Sequence, residues 1–172
     1  MNEVLSFEEF ASSRARRLFQ VAYLTCGDWH QAQDLVQTTL AKLYVAWGRL
    51  QRSGQEVEID AYARKVLVNS YLSHRRLRRS GELAVGELPE KPAGEHGGGT
   101  ELRLTLLSAL RLLPPRSRAA VVLRYLEDYS IEAVAEVLGS SPNAVKSLNS
   151  RSLARLRELL GDDRELLFRT GA

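Results

Sequence analysis

At 172 residues the chain has room for one ordinary domain or two small ones, and its formal net charge of +3 is too small to mark a nucleic-acid binder by itself. The single cysteine, Cys26, excludes an intrachain disulfide and a thiolate zinc cluster. His30, His74 and His96 stand in no metal-ligand spacing with one another, so no metal or cofactor is expected. The opening Met1-Asn2-Glu3-Val4-Leu5 lacks a basic, apolar secretion leader, and no apolar run approaches the length of a bilayer span. The expectation is a cytoplasmic chain without membrane insertion.

The distribution of charge and apolar residues carries more than the totals. Phe7, Phe10, Leu18, Val21, Ala22 and Leu24 recur at helical spacing, with Arg14, Arg16 and Arg17 between them, and predict a helix ending near Gly27. Asp28 can cap a second helix reaching about Leu50, whose stripe includes Ala32, Leu35, Val36, Leu40, Leu43, Tyr44 and Trp47. Residues 51–59 break the pattern and read as a loop. Asp60 then caps a third helix through about Arg79, buried along Ala63, Val66, Leu67, Ser70 and Tyr71. Between residues 60 and 79, Arg64, Lys65, Arg75, Arg76, Arg78 and Arg79 face a single acid, Asp60, for a local charge of +5. Four of these six cations crowd the last turns of one helix. They are either a solvated face or a nucleic-acid contact.

Residues 80–100 hold six glycines, Pro89 and Pro92, and four glutamates against one lysine. Little there offsets the entropy of ordering the segment, which reads as a flexible acidic linker. It is either simply solvated or lies loosely over the basic faces until DNA displaces it. Leu102, Leu106, Leu107, Leu110 and Leu113 then mark a helix stopped by Pro114-Pro115, and Pro115 can open the next, which carries Ala119, Val122, Leu123 and Leu126 and ends near Asp128. Ser130 caps a short helix, Ile131 onward, closed by Gly139. Ser141 and Pro142 start a last helix to about Leu160. The fold class is therefore all-α, with two small helical domains at 1–79 and 101–160, the linker between them, and a frayed or weakly helical tail at 161–172.

The short helix, the tight Gly139-Ser140-Ser141 turn and the final helix make a helix-turn-helix. Val145, Leu148, Ser152, Leu156 and Leu159 give the final helix a seam, leaving Asn143, Lys146, Ser147, Ser150 and Arg151 on or near its outer face. Short polar and basic side chains on such a helix suit a major groove and its phosphates. Nothing comparable supports an enzyme. There is no Gly-rich phosphate loop after a strand, no Ser/His/Asp set has motif spacing, Cys26 reads as a small apolar filler, and Trp47 as core.

Three segments together resemble one known family: Ala22-Tyr23-Leu24-Thr25-Cys26-Gly27-Asp28 followed by Ala32-Gln33-Asp34-Leu35-Val36-Gln37; Ala61-Tyr62-Ala63-Arg64-Lys65-Val66-Leu67-Val68-Asn69; and Leu113-Pro114-Pro115-Arg116 continuing through Val145-Lys146-Ser147. In this order and spacing the chain resembles the extracytoplasmic-function sigma factors of bacterial RNA polymerase, and among them the short SigE-family members of actinobacteria. The resemblance covers residues 7–79 as the family's region 2 and 101–160 as its region 4. It implies core RNA polymerase, at the β′ clamp helices and the β flap, and promoter DNA as partners, with an anti-sigma factor as a further partner class. It implies that Asp34, Leu35 and Gln37 dock on the clamp and that the loop 51–59 captures a flipped base of the −10 element. Asn69, Arg75, Arg76, Arg78 and Arg79 would engage and help melt that element, at the few kcal/mol that unstacking a base costs. Lys146 and Arg151 lie on the helix that enters the −35 major groove.

The chain departs from the family pattern at Thr38, where an acid is usual, and at Leu148 and Asn149. Either Leu148 lies in the seam and Asn149 reaches outward to a base, or the recognition helix is rotated or weakened. The competing reading is a stand-alone helix-turn-helix regulator, which would bind an operator without polymerase and needs a dimer surface that the sequence does not reveal.

Overall fold

The computed structural model describes residues 5–53, 56–81 and 101–161. They form seven α-helices and one π-helical turn: α1 (Phe7–Cys26), α2 (Trp29–Ser53), α3 (Glu56–Ser80), α4 (Glu101–Arg111), α5 (Pro115–Val121) continued by the π-helical turn Val122–Leu126, α6 (Ile131–Leu138) and α7 (Pro142–Leu160). No strand occurs among the described residues. The all-α expectation holds. The predicted linker and tail lie almost entirely outside the described residues. Contacts divide the chain into two compact units, one built from α1, α2 and α3 and the other from α4 to α7, with Leu24–Asp28 grouped with the second.

Helix α1 starts at a reciprocal cap. The Ser6 hydroxyl accepts from the Glu9 amide at 3.2 Å, while the Glu9 carboxylate accepts from the Ser6 amide at 2.8 Å. That bond to the Ser6 amide, with the one to its side chain, holds the Glu9 carboxyl below the usual glutamate range. The helix ends at Gly27, whose φ of +74° is a left-handed conformation that glycine adopts without steric cost.

In the first unit Phe10, Leu18, Val21 and Ala22 of α1 are buried, as are Leu35, Leu43 and Trp47 of α2 and Leu67, Val68 and Tyr71 of α3. Trp47 takes Phe7 edge-on at 5.4 Å and Phe10 at 5.3 Å, so it is core, as its place on the α2 stripe requires. Thr39, a polar member of the α2 seam, donates its hydroxyl to the Leu35 carbonyl at 2.7 Å.

The loop expected at 51–59 is a correction. Helix α2 runs through Ser53 and α3 begins at Glu56, because the helical period survives the charged composition. Leu50 and Ile59 are both buried, and the Gln51 carboxamide donates to the Leu5 carbonyl at 3.0 Å. Asp60 is consequently the fifth residue of α3 and not its cap. Its carboxylate accepts from Arg14 Nε at 3.0 and 3.2 Å and lies 4.0 Å from Arg64. Tyr44, placed in the buried stripe by spacing, is 65% exposed, and its ring leans edge-on against Phe7 at 5.2 Å.

The second unit is built around Ala109, Leu110, Leu113, Val121, Leu156 and Leu160. Buried Arg118 donates to the carbonyls of Arg111 and Leu113 at 2.9 and 3.1 Å, satisfying acceptors that the end of α4 leaves open. Pro115 opens α5, as its missing amide hydrogen allows. The widened turn Val122–Leu126 keeps Val122 and Leu123 buried but leaves Leu126 exposed. Asp128 follows at φ +55°, and the Arg124 guanidinium donates to the Tyr129 carbonyl at 3.2 Å.

Candidate nucleic-acid and partner interfaces

The helix-turn-helix is fixed by its caps. Ser130 Oγ accepts from the Ala133 amide at 3.1 Å at the head of α6, and Gly139 closes that helix at φ +61°. One residue on, the Ser140 amide donates to the Ala135 carbonyl at 2.9 Å. Ser141 Oγ then accepts from the Ala144 amide at 3.2 Å, and Pro142 takes the first position of α7. All four devices stand where the sequence placed them.

Along α7 the buried positions are Val145, Asn149, Ser152, Leu156 and Leu160, steps of four, three, four and four residues. Leu148 and Leu159 are only half-buried. Asn149 is therefore a correction. It is 3% exposed, and among the described residues neither its Oδ1 nor its Nδ2 has a hydrogen-bond partner. The helical register, not side-chain polarity, decides its direction, and the carboxamide is buried on the inward side of α7 instead of reaching outward. The neighbouring Ser152 resolves the same situation by donating to the Leu148 carbonyl at 2.6 Å. On the opposite side Asn143, Lys146, Ser147, Ser150 and Arg151 are all exposed, which leaves a continuous polar and basic face.

Helix α3 presents a second face of this kind. Asn69, Arg75, Arg76 and Arg79 are exposed and Arg78 is half-buried. Asn69 and Arg76 lie two turns apart on one side, roughly 10 Å along the axis. His74, among these cations, packs its Nδ1 3.4 Å from Gln31 Nε2 of α2. Burial, then the Arg78 and Arg75 charges, lower its pKa from the ordinary histidine value.

On α2 the three candidate docking residues separate. Asp34 and Gln37 are exposed, whereas Leu35 is 6% exposed and belongs to the core of the first unit. This too corrects the expectation. Thr38, the position where an acid is usual, is exposed beside them.

One feature of the first unit had no signal in composition. An open groove of about 640 Å³ between α2 and α3 is lined by Ala41, Lys42, Val45, Ala46, Arg49, Tyr62 and Val66. Val45, at its edge, is 87% exposed, and Lys42 Nζ donates to Ser70 Oγ at 3.0 Å. The signal available was the second apolar side of α2, Ala41-Val45-Ala46, which the core stripe left unused. Among the described residues no group of three or more His, Cys, Asp and Glu side chains could hold a metal ion, and no helix is long and apolar enough to cross a membrane. Burial pushes the Cys26 thiol up to about 11, and its Sγ donates to the Asp28 carbonyl at 3.3 Å.

Comparison with known proteins places both units. Residues 10–81 match the family model of Sigma-70 region 2, and residues 103–156 match that of Sigma-70, region 4. The chain is 39% identical over 160 residues to the RNA polymerase sigma-E factor of Streptomyces coelicolor, covering 93% of this chain and 89% of that protein. It belongs to the extracytoplasmic-function sigma factors of the sigma-70 superfamily. Similarity to the sigma-E factor of Streptomyces avermitilis is 37% identity over 92% of this chain and 87% of the other. A chain in the co-crystal structure of the sigma factor RpoE with the anti-sigma factor NepR from Bartonella quintana is similar in fold. Its TM-score is 0.72 at 28% identity, over 91% of this sigma factor and 98% of that chain.

Proposed function

We propose that this sigma factor binds core RNA polymerase, directs it to promoters through their −10 and −35 elements, and helps open the DNA. The observation that carries the reading is the pairing of the two regions in one chain, each with an exposed basic helix: α3 in the match to region 2 and α7 in the match to region 4. Asp34 and Gln37, exposed on α2, contact polymerase. Asn69, Arg75, Arg76 and Arg79, with Arg78 behind them, engage the −10 element. Lys146 and Arg151 face the −35 element.

The chemistry of each surface suits its role. Arginines clustered on α3 attract phosphates and lower the cost of separating the strands nearby. The groove between α2 and α3 joins an aromatic face, Tyr62, to two cations, Lys42 and Arg49, which is what an unstacked base and its phosphate need. Polymerase performs phosphodiester synthesis, and the sigma factor supplies address and opening. An anti-sigma factor is the regulatory partner that fits this reading, since the similar chain from Bartonella quintana comes from a complex of that kind.

Transcription by core polymerase on a pool of genomic promoters, with and without this chain, tests the proposal. The expected result is a defined subset of start sites that depends on the chain and shares −35 and −10 sequences. Operator binding by the chain alone, with no effect on initiation by core enzyme, would favour the stand-alone regulator instead.

A further inference from the structure

Arg116, in the first turn of α5, reaches across the second unit to the turn of the helix-turn-helix. Its Nη2 donates to the Leu138 carbonyl at 2.9 Å and to Ser140 Oγ at 2.8 Å. Leu138 is the last residue of α6, and its carbonyl is one of the acceptors that a helix end leaves without an intrahelical donor. Ser140 immediately precedes Ser141, the cap from which α7 departs. One guanidinium nitrogen thus grips the two sides of Gly139, the residue whose left-handed backbone sets the crossing of α6 and α7. Arg116 has no place in the hydrophobic core and is exposed.

We propose that Arg116 is a positioning residue for −35 recognition, holding the α6–α7 turn so that α7 meets the bases in one pose. The proposal rests on the reading of α7 as the −35 helix. A planar, permanently charged donor suits this task because it fixes direction at both acceptors, and a recognition surface works only when it is held to a fraction of an ångström. Two other roles make different predictions. A phosphate contact would weaken binding to every sequence alike and reduce its salt dependence. A merely structural brace would lower the melting temperature and leave base preference alone.

The test is a binding selection on randomised −35 sequences with each variant bound to core polymerase, alongside the salt dependence of affinity for the preferred site. Variants are Arg116→Ala, Arg116→Gln and Ser140→Ala, with Lys146→Ala as the reference for direct readout. The expected result for Arg116→Ala is a drop of about fivefold in discrimination between preferred and mismatched sites, the low end of what one base-edge contact contributes. Its salt dependence should equal the parent's. Arg116→Gln, which keeps a neutral donor, should recover part of the preference, and Ser140→Ala should give a smaller loss of the same kind. Unchanged preference in Arg116→Ala while Lys146→Ala alters it would overturn the positioning role and leave the −35 reading intact. A uniform affinity loss with a shallower salt slope would replace it by a phosphate contact. No −35 preference in the parent would overturn both.

Discussion

Asp60 on α3 accepts from Arg14 Nε on α1 through both carboxylate oxygens, at 3.0 and 3.2 Å, across 46 residues of sequence. The pair is partly shielded, with side chains 31% and 23% exposed, so solvent screens it only in part. Asp60→Ala is expected to destabilise the chain by about 1–2 kcal/mol, in the range for a charge-assisted hydrogen bond discounted for exposure. Urea unfolding checks this. Asp60→Asn should fall between parent and alanine, since a carboxamide oxygen still accepts from Arg14.

Asn149 gives an opposite expectation. Its two buried polar atoms lack partners among the described residues, and each such group costs on the order of 1–3 kcal/mol. Asn149→Leu replaces the carboxamide by an apolar group of similar length and should raise the melting temperature by a few degrees. Because the side chain points inward, Asn149→Ala should leave −35 base preference as it is. A change in preference without a change in stability would contradict the inward placement.

The contrast between these two residues shows what the sequence revealed. Caps are local, so Ser130, Gly139, Ser141 and Pro142 could be placed from neighbours within four residues. The α7 seam was misplaced at two points, Leu148 and Leu159, which are half-buried where Asn149 and Leu160 are buried; Asn149 was passed over because it is polar, although the four-three-four spacing from Val145 to Ser152 and Leu156 already included it. The same weighting of composition over period turned residues 51–59 into a loop and Asp60 into a cap. Leu35 shows the converse. Its motif neighbours Asp34 and Gln37 are exposed, but the apolar member of the motif serves the core. The bonds from Arg116 to Leu138 and Ser140 span 22 and 24 residues, and nothing in the local pattern announces them.

Acid sensitivity should follow His74. Its folded-state pKa lies below the ordinary histidine value of 6.5, so the unfolded chain takes up a proton first as pH falls. The stability that neutral His74 contributes is present above about pH 6.5 and is lost as pH falls through the folded-state value. His74→Gln should flatten this part of the stability profile, measured by urea unfolding between pH 7.5 and 5. An unchanged slope would mean that other groups govern it.

The proposed polymerase contact at Asp34 can be tested apart from folding, because the side chain is exposed on α2 while Leu35 beside it is buried. Asp34→Arg is expected to weaken core binding by about tenfold or more through reversed charge at the interface. Its melting temperature should match the parent's. Equal core affinity in the folded variant would remove Asp34 from the docking surface.

The most direct measurement of the central claim is site-specific crosslinking within the polymerase-bound chain on promoter DNA. A photoreactive side chain at Ser150, exposed one turn beyond Lys146, and another at Ser73, exposed one turn beyond Asn69, would each report the nearest nucleotides. Crosslinks from Ser150 confined to the −35 element and from Ser73 confined to the −10 element are the predicted result. Crosslinks from both positions to one shared operator site, formed equally well without core polymerase, would contradict it.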